Sequence, residues 1–301
     1  MKKFKYILDK SSKKFICPKC HKKTFVKFIE SETGNYLSED FGRCDRETNC
    51  SYYNSPEGNQ IHSFEKNQIP KLQTSYHNID LLKQSLRDYS NNNFIAFLEK
   101  IFSSDKVKIA IENYKIGTSK NWQGSTVFWQ IDNLNRIHAG KILQYNPITG
   151  KRIKDENNKA LINWVHSILK RRRQLENFNL SQCLFGLHLI RQNTKKVAIV
   201  ESEKTAIIMS LFKPQYYWLA TGNKQAFKYE MLNPVKEFEI IAFPDKSEYK
   251  DWNLKAIELN KIGFRIHVSK ILEHTNYPTG FDLADLITFH REKEKLFNNS
   301  T

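Results

Sequence analysis

Two groups of residues in this chain have the types and spacing to do chemistry. The first is a pair of cysteine pairs, Cys17-Pro-Lys-Cys20 and Cys44 with Cys50. A Cys-x-x-Cys turn presents two thiolates from one tight loop, and a second loop across a small sheet can complete a tetrahedral zinc site. The gap between Cys44 and Cys50 is wider than the common spacing, and His21 is an alternative ligand. A redox role lacks the βαβ context that such a motif needs. Four protein ligands leave no open coordination position, so the expected Zn2+ is structural. The second group is acidic. Glu201 follows the β-branched run Val197–Val200, Asp245 follows Glu239–Phe243 with Glu248 close behind, and Asp282 and Asp285 open a late segment. Carboxylates gathered at one edge can hold Mg2+, a hard ion that prefers oxygen ligands and supports phosphoryl chemistry. The competing reading is surface carboxylates and helix caps, with Ser202 and Asp282 as N-caps.

The elements that must position these groups can be read from periodicity. Thr24–Ile29 alternates as a ribbon strand, with Gly34-Asn35 as a hairpin turn. Leu81, Leu82, Leu86, Phe94, Phe97, Leu98 and Ile101 recur at helical spacing. Ser125–Ile131 and Ile137–Tyr145 read as strands around an Asp132–Arg136 turn. Further on, strands at Val197–Val200, Tyr216–Ala220, Glu239–Phe243 and Phe264–Val268 alternate with helical stretches at Glu203–Phe212 and Trp252–Ile262. That alternation predicts a mostly parallel sheet, whose C-terminal strand edge is where sites form in open α/β folds. The expected class is a multidomain α+β protein. A zinc ribbon spans 1–65, a mixed α+β middle region spans 74–190, and an α/β domain spans 191–290. The polar stretch Ser55–Gln73 reads as a linker, and the charged tail after His290 is expected to fray.

The 301 residues carry a formal net charge of +16, which favours polyanionic partners, although lysine enrichment from codon bias is an alternative source. Lys170, Arg171, Arg172 and Arg173 form the densest basic run, either a phosphate contact or a solvated face. Trp122, Phe128, Trp129 and Tyr145 interleave with Lys120, Arg136 and Lys141, a pattern that fits base stacking or, alternatively, plain core. Cys183 stands alone and reads as a buried small hydrophobe. No apolar run is long enough for a membrane span, and the lysine-rich start lacks a signal peptide's apolar segment, so a cytoplasmic protein without membrane partners is expected.

The segments also resemble a known family. VAIVESEKTAIIMS resembles the first motif of the Toprim domain, a strand ending in glutamate, and IIAFPDKSE resembles the second, a strand ending in an Asp-x-Asp pair. GFDLADL is similar to the acidic segment that closes such domains in phage and plasmid primases, and CPKCHKKTF with RCDRETNC is similar to their zinc-binding head. FWQIDNLNRIHAGKILQYNP and CLFGLHLI resemble the stretch that precedes Toprim in that layout. The whole chain looks like Toprim-containing proteins of Bacteroidetes mobile elements. The resemblance implies a Toprim-like C-terminal domain, a role in DNA replication, and primer synthesis on single-stranded DNA. It also implies Glu201 and Asp245 as catalytic residues. Mg2+ would be held by Glu201, Asp245 and Glu248, and Lys204 would contact phosphate. Ser247 stands where the family has its second aspartate, which favours a non-catalytic DNA-binding scaffold as the alternative, with a Toprim nuclease behind it. No Gly-x4-Gly-Lys-Ser/Thr loop is present, so any helicase would be a separate partner.

Overall fold

The computed structural model describes residues 4–46, 50–56, 73–191, 196–273 and 276–289. Most of the expected linker and the tail after His290 lie outside them. The chain divides into two compact units, Met1–Leu72 and Gln73–Thr301.

The first unit is built on alternation. Strand β3 (Lys23–Glu30) buries Phe25, Val26 and Phe28 and pairs antiparallel with β1 (Tyr6–Leu8), β2 (Phe15–Ile16) and β4 (Gly42–Cys44). A short β5 (Tyr53–Asn54) completes the sheet beside β4. Gly42 is required by packing, because a Cβ there would strike the Val26 carbonyl and the Phe25 ring. The hairpin glycine, Gly34, adopts a positive φ of 72° that a side chain would disfavour.

The second unit holds two sheets. Helices α1 (Ile79–Ser85), α2 (Asn93–Ile101) and α3 (Ser104–Tyr114) lead into an antiparallel meander of β6 (Gly117–Ser119), β7 (Ser125–Ile131), β8 (Ile137–Leu143) and β9 (Ile162–Trp164), followed by α4 (Val165–Arg171). Every residue of β7 and β8 is buried, because both faces of this sheet are covered. Val127, Trp129, Ile131 and Ile142 pack on one face with Leu82 of α1 and Val165 and Ile168 of α4, while Phe128 and Leu143 pack on the other with α2 and α3. Asn92 caps α2 from a buried position. Its Oδ1 accepts from Phe94, Ile95 and the Thr126 hydroxyl, and its amide nitrogen donates to Gly117 and Thr118.

The other sheet is wholly parallel. It contains β10 (Lys196–Val200), β11 (Tyr217–Ala220), β12 (Glu239–Ala242) and β13 (Arg265–Val268), in the order β11-β10-β12-β13. Its helices are α5 (Glu203–Phe212), α6 (Tyr229–Leu232) and α7 (Tyr249–Asn260). In β10, Val197 and Ile199 face the core with α6 and α7, whereas Ala198 and Val200 face a core shared with α2, α3, Phe128 and Tyr145. The middle and third regions of the sequence therefore pack around one continuous interior. The Tyr114 hydroxyl donates to the Trp218 carbonyl at 2.9 Å, and Phe185 pairs with Ala220 at the edge of β11, tying the two sheets together. Phe128, Trp129 and Tyr145 are core residues, each no more than 2% exposed, so the base-stacking reading fails for them. Cys183 is buried as expected. No helix among the described residues is long and apolar enough to cross a membrane.

Candidate metal centre and acidic site

The zinc ligands lie on two loops. A turn between β2 and β3 carries Cys17 and Cys20, while Cys44 ends β4 and Cys50 follows it. Cys17 and Cys50 Sγ atoms are 3.6 Å apart, those of Cys20 and Cys44 are 3.9 Å apart, and all four lie within 4.8 Å of one another. Sulfurs at ~2.3 Å from a tetrahedral zinc stand roughly 3.8 Å from each other. The four thiols thus fit structural Zn2+, and His21 lies outside the set. The Lys22 backbone N–H holds the Cys20 thiol below its ordinary range, whereas burial raises that of Cys50. Thr24 Oγ1 sits 3.3 Å from Cys44 Sγ. Phe25 is fully buried beneath the cluster with its ring edge-on to Tyr52, so the site and the ribbon's small core are one structure.

In the parallel sheet, β10 and β12 are neighbours whose connections leave in opposite directions, to β11 on one side and β13 on the other. The crevice at the C-terminal ends of such a pair is where open α/β sheets place their sites. Glu201 is the first residue after β10, and Asp245 lies just beyond β12. Burial, then the carboxylates of Asp282, Glu201 and Asp285, push the Asp245 carboxyl up to about 8, with Lys204 opposing. Burial also raises Glu201, with Arg152 opposing and Glu248 adding to the rise.

Asp282 and Asp285 reach this edge because residues 280–281 pair with Lys246. The Lys246 N–H donates to the Phe281 carbonyl and the Gly280 N–H to the Lys246 carbonyl. Thr205 Oγ1 donates to Asp282 Oδ2 at 2.7 Å, and Asp282 Oδ1 accepts the Asp285 N–H at 2.8 Å, the capping role expected of it. Lys204 bridges Asp285 at 3.1 Å and Asp282 at 3.8 Å. Ser202 caps α5 by accepting the Thr205 N–H.

Ser247 and Glu248 face other partners. Ser247 adopts a left-handed φ of 79°, its N–H donates to Glu273 at 2.7 Å, and its hydroxyl meets Thr279. Glu248 is tied to Lys224 at 2.9 Å. The additional carboxylate beside Asp245 therefore comes from Asp282 rather than from the residues that directly follow it. Among the described residues, the group that brings three or more ligand atoms within 4.8 Å of one another is the cysteine set, so the acids gather at one sheet edge without closing into a ligand shell.

Several neighbours of this edge were not anticipated. Lys141 on β8 donates to both carboxylate oxygens of Glu203, at 3.0 and 3.1 Å, and to the Gly222 carbonyl at 2.8 Å. The buried Gln130 amide lies beside Gly222 and makes no hydrogen bond among the described residues. Arg152, exposed on the hairpin that pairs it with Tyr145, opposes the raised Glu201 carboxyl. Partners so distant in sequence leave no spacing signal; for Arg152 the cue was its turn beside Thr149-Gly150. Lys170 and Arg171 end α4, and Arg172 and Arg173 follow it.

Residues 92–246 match the family described as a domain of unknown function (DUF6371), over half of the 301-residue chain. The chain belongs to the DUF6371 family. The DUF6371 span opens at the Asn92 cap and ends at Lys246, so it holds Glu201 and Asp245 but not Asp282. Ahead of it, residues 4–68 match the zinc beta-ribbon finger family. None of the curated proteins matches this DUF6371 chain. Among solved structures it is similar to the RNA polymerase domain of Mycobacterium tuberculosis primase DnaG, with 12% identity, coverage of 71% of this chain and 80% of that one, and a TM-score of 0.47. The Escherichia coli primase catalytic core gives 13% identity, 73% and 81% coverage and a TM-score of 0.43. The primase fragment of the bacteriophage T7 primase-helicase gives 15%, 64% and 70%, and 0.39.

Proposed function

We propose that this chain is a primase-like protein that binds single-stranded DNA and joins nucleotides at the acidic edge of its parallel sheet. The observation that carries the reading is the placement of Glu201 and Asp245 behind adjacent parallel strands at the point where the strand order reverses. In this reading residues 191–290 act as the Toprim-like domain and 74–190 as its primase-like companion. Asp245 would hold Mg2+, joined by Glu248 if it leaves Lys224, with Glu201 assisting beside it. When bound, Mg2+ neutralises charge developing on the phosphoryl group. Asp282 supplies further negative charge, and Lys204 offsets part of it. Glu201 accepts the proton of the attacking hydroxyl, a role suited to a carboxyl raised by burial. Lys170, Arg171, Arg172 and Arg173 hold the phosphate backbone, the zinc ribbon adds a second grip, and a helicase acts as a separate partner.

The test is primer synthesis on single-stranded DNA with labelled nucleotides and Mg2+ or Mn2+, comparing wild type with Glu201→Ala and Asp245→Ala. Product that vanishes in both variants supports the reading. Folded, zinc-loaded, DNA-binding wild type that makes no product leaves the binding scaffold, which the engagement of Ser247 with Glu273 and Thr279 favours. Metal-dependent loss of the DNA would identify a nuclease instead.

A further inference from the structure

The far face of the antiparallel sheet carries a groove that the acidic edge does not use. Two adjoining cavities of about 410 and 200 Å³ run between α1, the β6–β7 turn and α4. They share Gln84, Arg87, Thr118, Ser119 and Lys120. Strand alternation separates this groove from the acidic site. Ile142 lines the groove, while its neighbour Lys141 reaches Glu203 on the opposite face.

Three features define what fits. Arg87 enters from the end of α1, Lys120 from the turn and Arg172 from the end of α4, and all three are exposed. No carboxylate pairs with any of them among the described residues, and Asp88 is the single acid in the lining. Trp122 packs its half-buried indole against the core of this face while lining the wider cavity. Hydroxyl and amide groups from Thr118, Ser119 and Gln123 fill the space between. Cations spread along a groove whose wider end is polar and whose narrower end has an apolar floor, with an aromatic plate beside them, are the parts of a single-strand binding track, in which phosphates meet the cations and a base stacks on the ring.

We propose that this groove is a second binding surface for single-stranded nucleic acid, with Arg87, Lys120 and Arg172 on phosphates and Trp122 on a base. The inference rests on the reading of the chain as a strand-binding protein, but not on catalysis at Asp245. It gives one member of the basic run already assigned to the phosphate backbone, Arg172, a specific place in a groove.

The experiment is anisotropy of a fluorescein-labelled oligothymidylate with the full zinc-loaded chain, without added Mg2+, across a salt series. The proteins are wild type, Trp122→Ala and the triple variant Arg87→Ala/Lys120→Ala/Arg172→Ala. The triple variant is expected to bind about tenfold more weakly and to lose roughly 2 from the slope of log K against log salt, at about 0.7 per cation. Trp122→Ala should weaken binding several-fold with the slope unchanged. A triple variant that is folded by circular dichroism, retains zinc, and keeps wild-type affinity and slope overturns the groove while leaving the proposed function intact. Duplex of the same composition binding as tightly as the single strand also overturns it. A wild type that binds no strand at all sinks the proposed function, and the groove with it.

Discussion

Lys141 sits in the middle of a fully buried strand, where an ammonium is tolerated only with partners. It has two, the Glu203 carboxylate and the Gly222 carbonyl, and the ion pair joins the antiparallel sheet to the first turn of α5. Removing one member leaves the other charge buried and unpaired, which costs about 3–5 kcal/mol, whereas replacing both with apolar groups of similar volume is close to neutral. Lys141→Met should therefore lower the urea midpoint sharply, and Lys141→Met/Glu203→Leu should recover most of the loss. A midpoint for the double variant as low as the single would mean that the pair itself is strongly stabilising. Asp132 behaves differently. Burial pushes its carboxyl up, but hydrogen bonds from His138, from the backbone and side chain of Arg136 and from Leu134 outweigh it and hold the group below its usual range. A carboxyl depressed in the folded state adds stability above its unfolded pKa, and that stability is lost as pH falls through the folded value. The gap in melting temperature between wild type and Asp132→Asn should thus be widest near neutral pH and shrink below about pH 4. A gap that does not change with pH would assign Asp132 a purely steric role. Neither residue advertised these roles in the sequence. Lys141 read as one cation among strand aromatics, and Asp132 as part of a turn, because the partners that define them come from other elements.

At the level of elements, the parallel sheet was legible because its strands are short β-branched or apolar runs, and two of them, β10 and β12, lead into helices of ten and twelve residues. Val197–Val200 and Glu203–Phe212 coincide closely with β10 and α5. The acids at strand ends followed from that alternation. The α3 helix was not read separately, since its apolar positions Val107, Ala110 and Tyr114 are diluted by charged neighbours. The groove was invisible for a stronger reason. Its walls come from α1, a turn and α4, and no sequence window contains all three. The ribbon is the clearest case of local legibility, as its two cysteine pairs pointed to a site despite the wide Cys44–Cys50 gap and the alternative ligand His21, and the four sulfurs fit a tetrahedron. Its buried side chains are few beyond the cysteines and Phe25, so metal must supply much of its folding energy. Chelation, or Cys44→Ala, is therefore expected to release one zinc per chain and to open residues 4–56 to proteolysis, while the far-UV dichroism of the helices in the second unit persists. Loss of the whole dichroism signal on chelation would show that the core depends on the ribbon.

The whole molecule combines a strongly cationic chain with two compact units. The cores built on the two sheets draw their residues from 81–287, and the ribbon's cluster draws only from 15–52. Cooperative unfolding follows from a shared interior, and the meander and the parallel sheet share one across Phe128, Tyr145, Ala198 and Trp218. Residues 73–301 should accordingly fold alone and unfold in a single transition by both tryptophan fluorescence and far-UV dichroism. Two separated transitions would mean that the antiparallel and parallel sheets are independent domains, as the division at 190/191 read from composition suggests. The same truncated chain separates the contributions to strand binding. Among the charges at stake, Arg87, Lys120 and Arg172 remain in it, while Lys19, Lys22, Lys23, Lys27, Arg43 and Arg46 are removed. Its salt slope should be shallower than that of the full chain, because each lost phosphate contact takes about 0.7 from it. The part of the slope that depends on the groove cations should remain unchanged in size. A truncated chain whose slope equals that of the full protein would place the whole electrostatic contribution in the second unit and leave the ribbon without a grip on the strand.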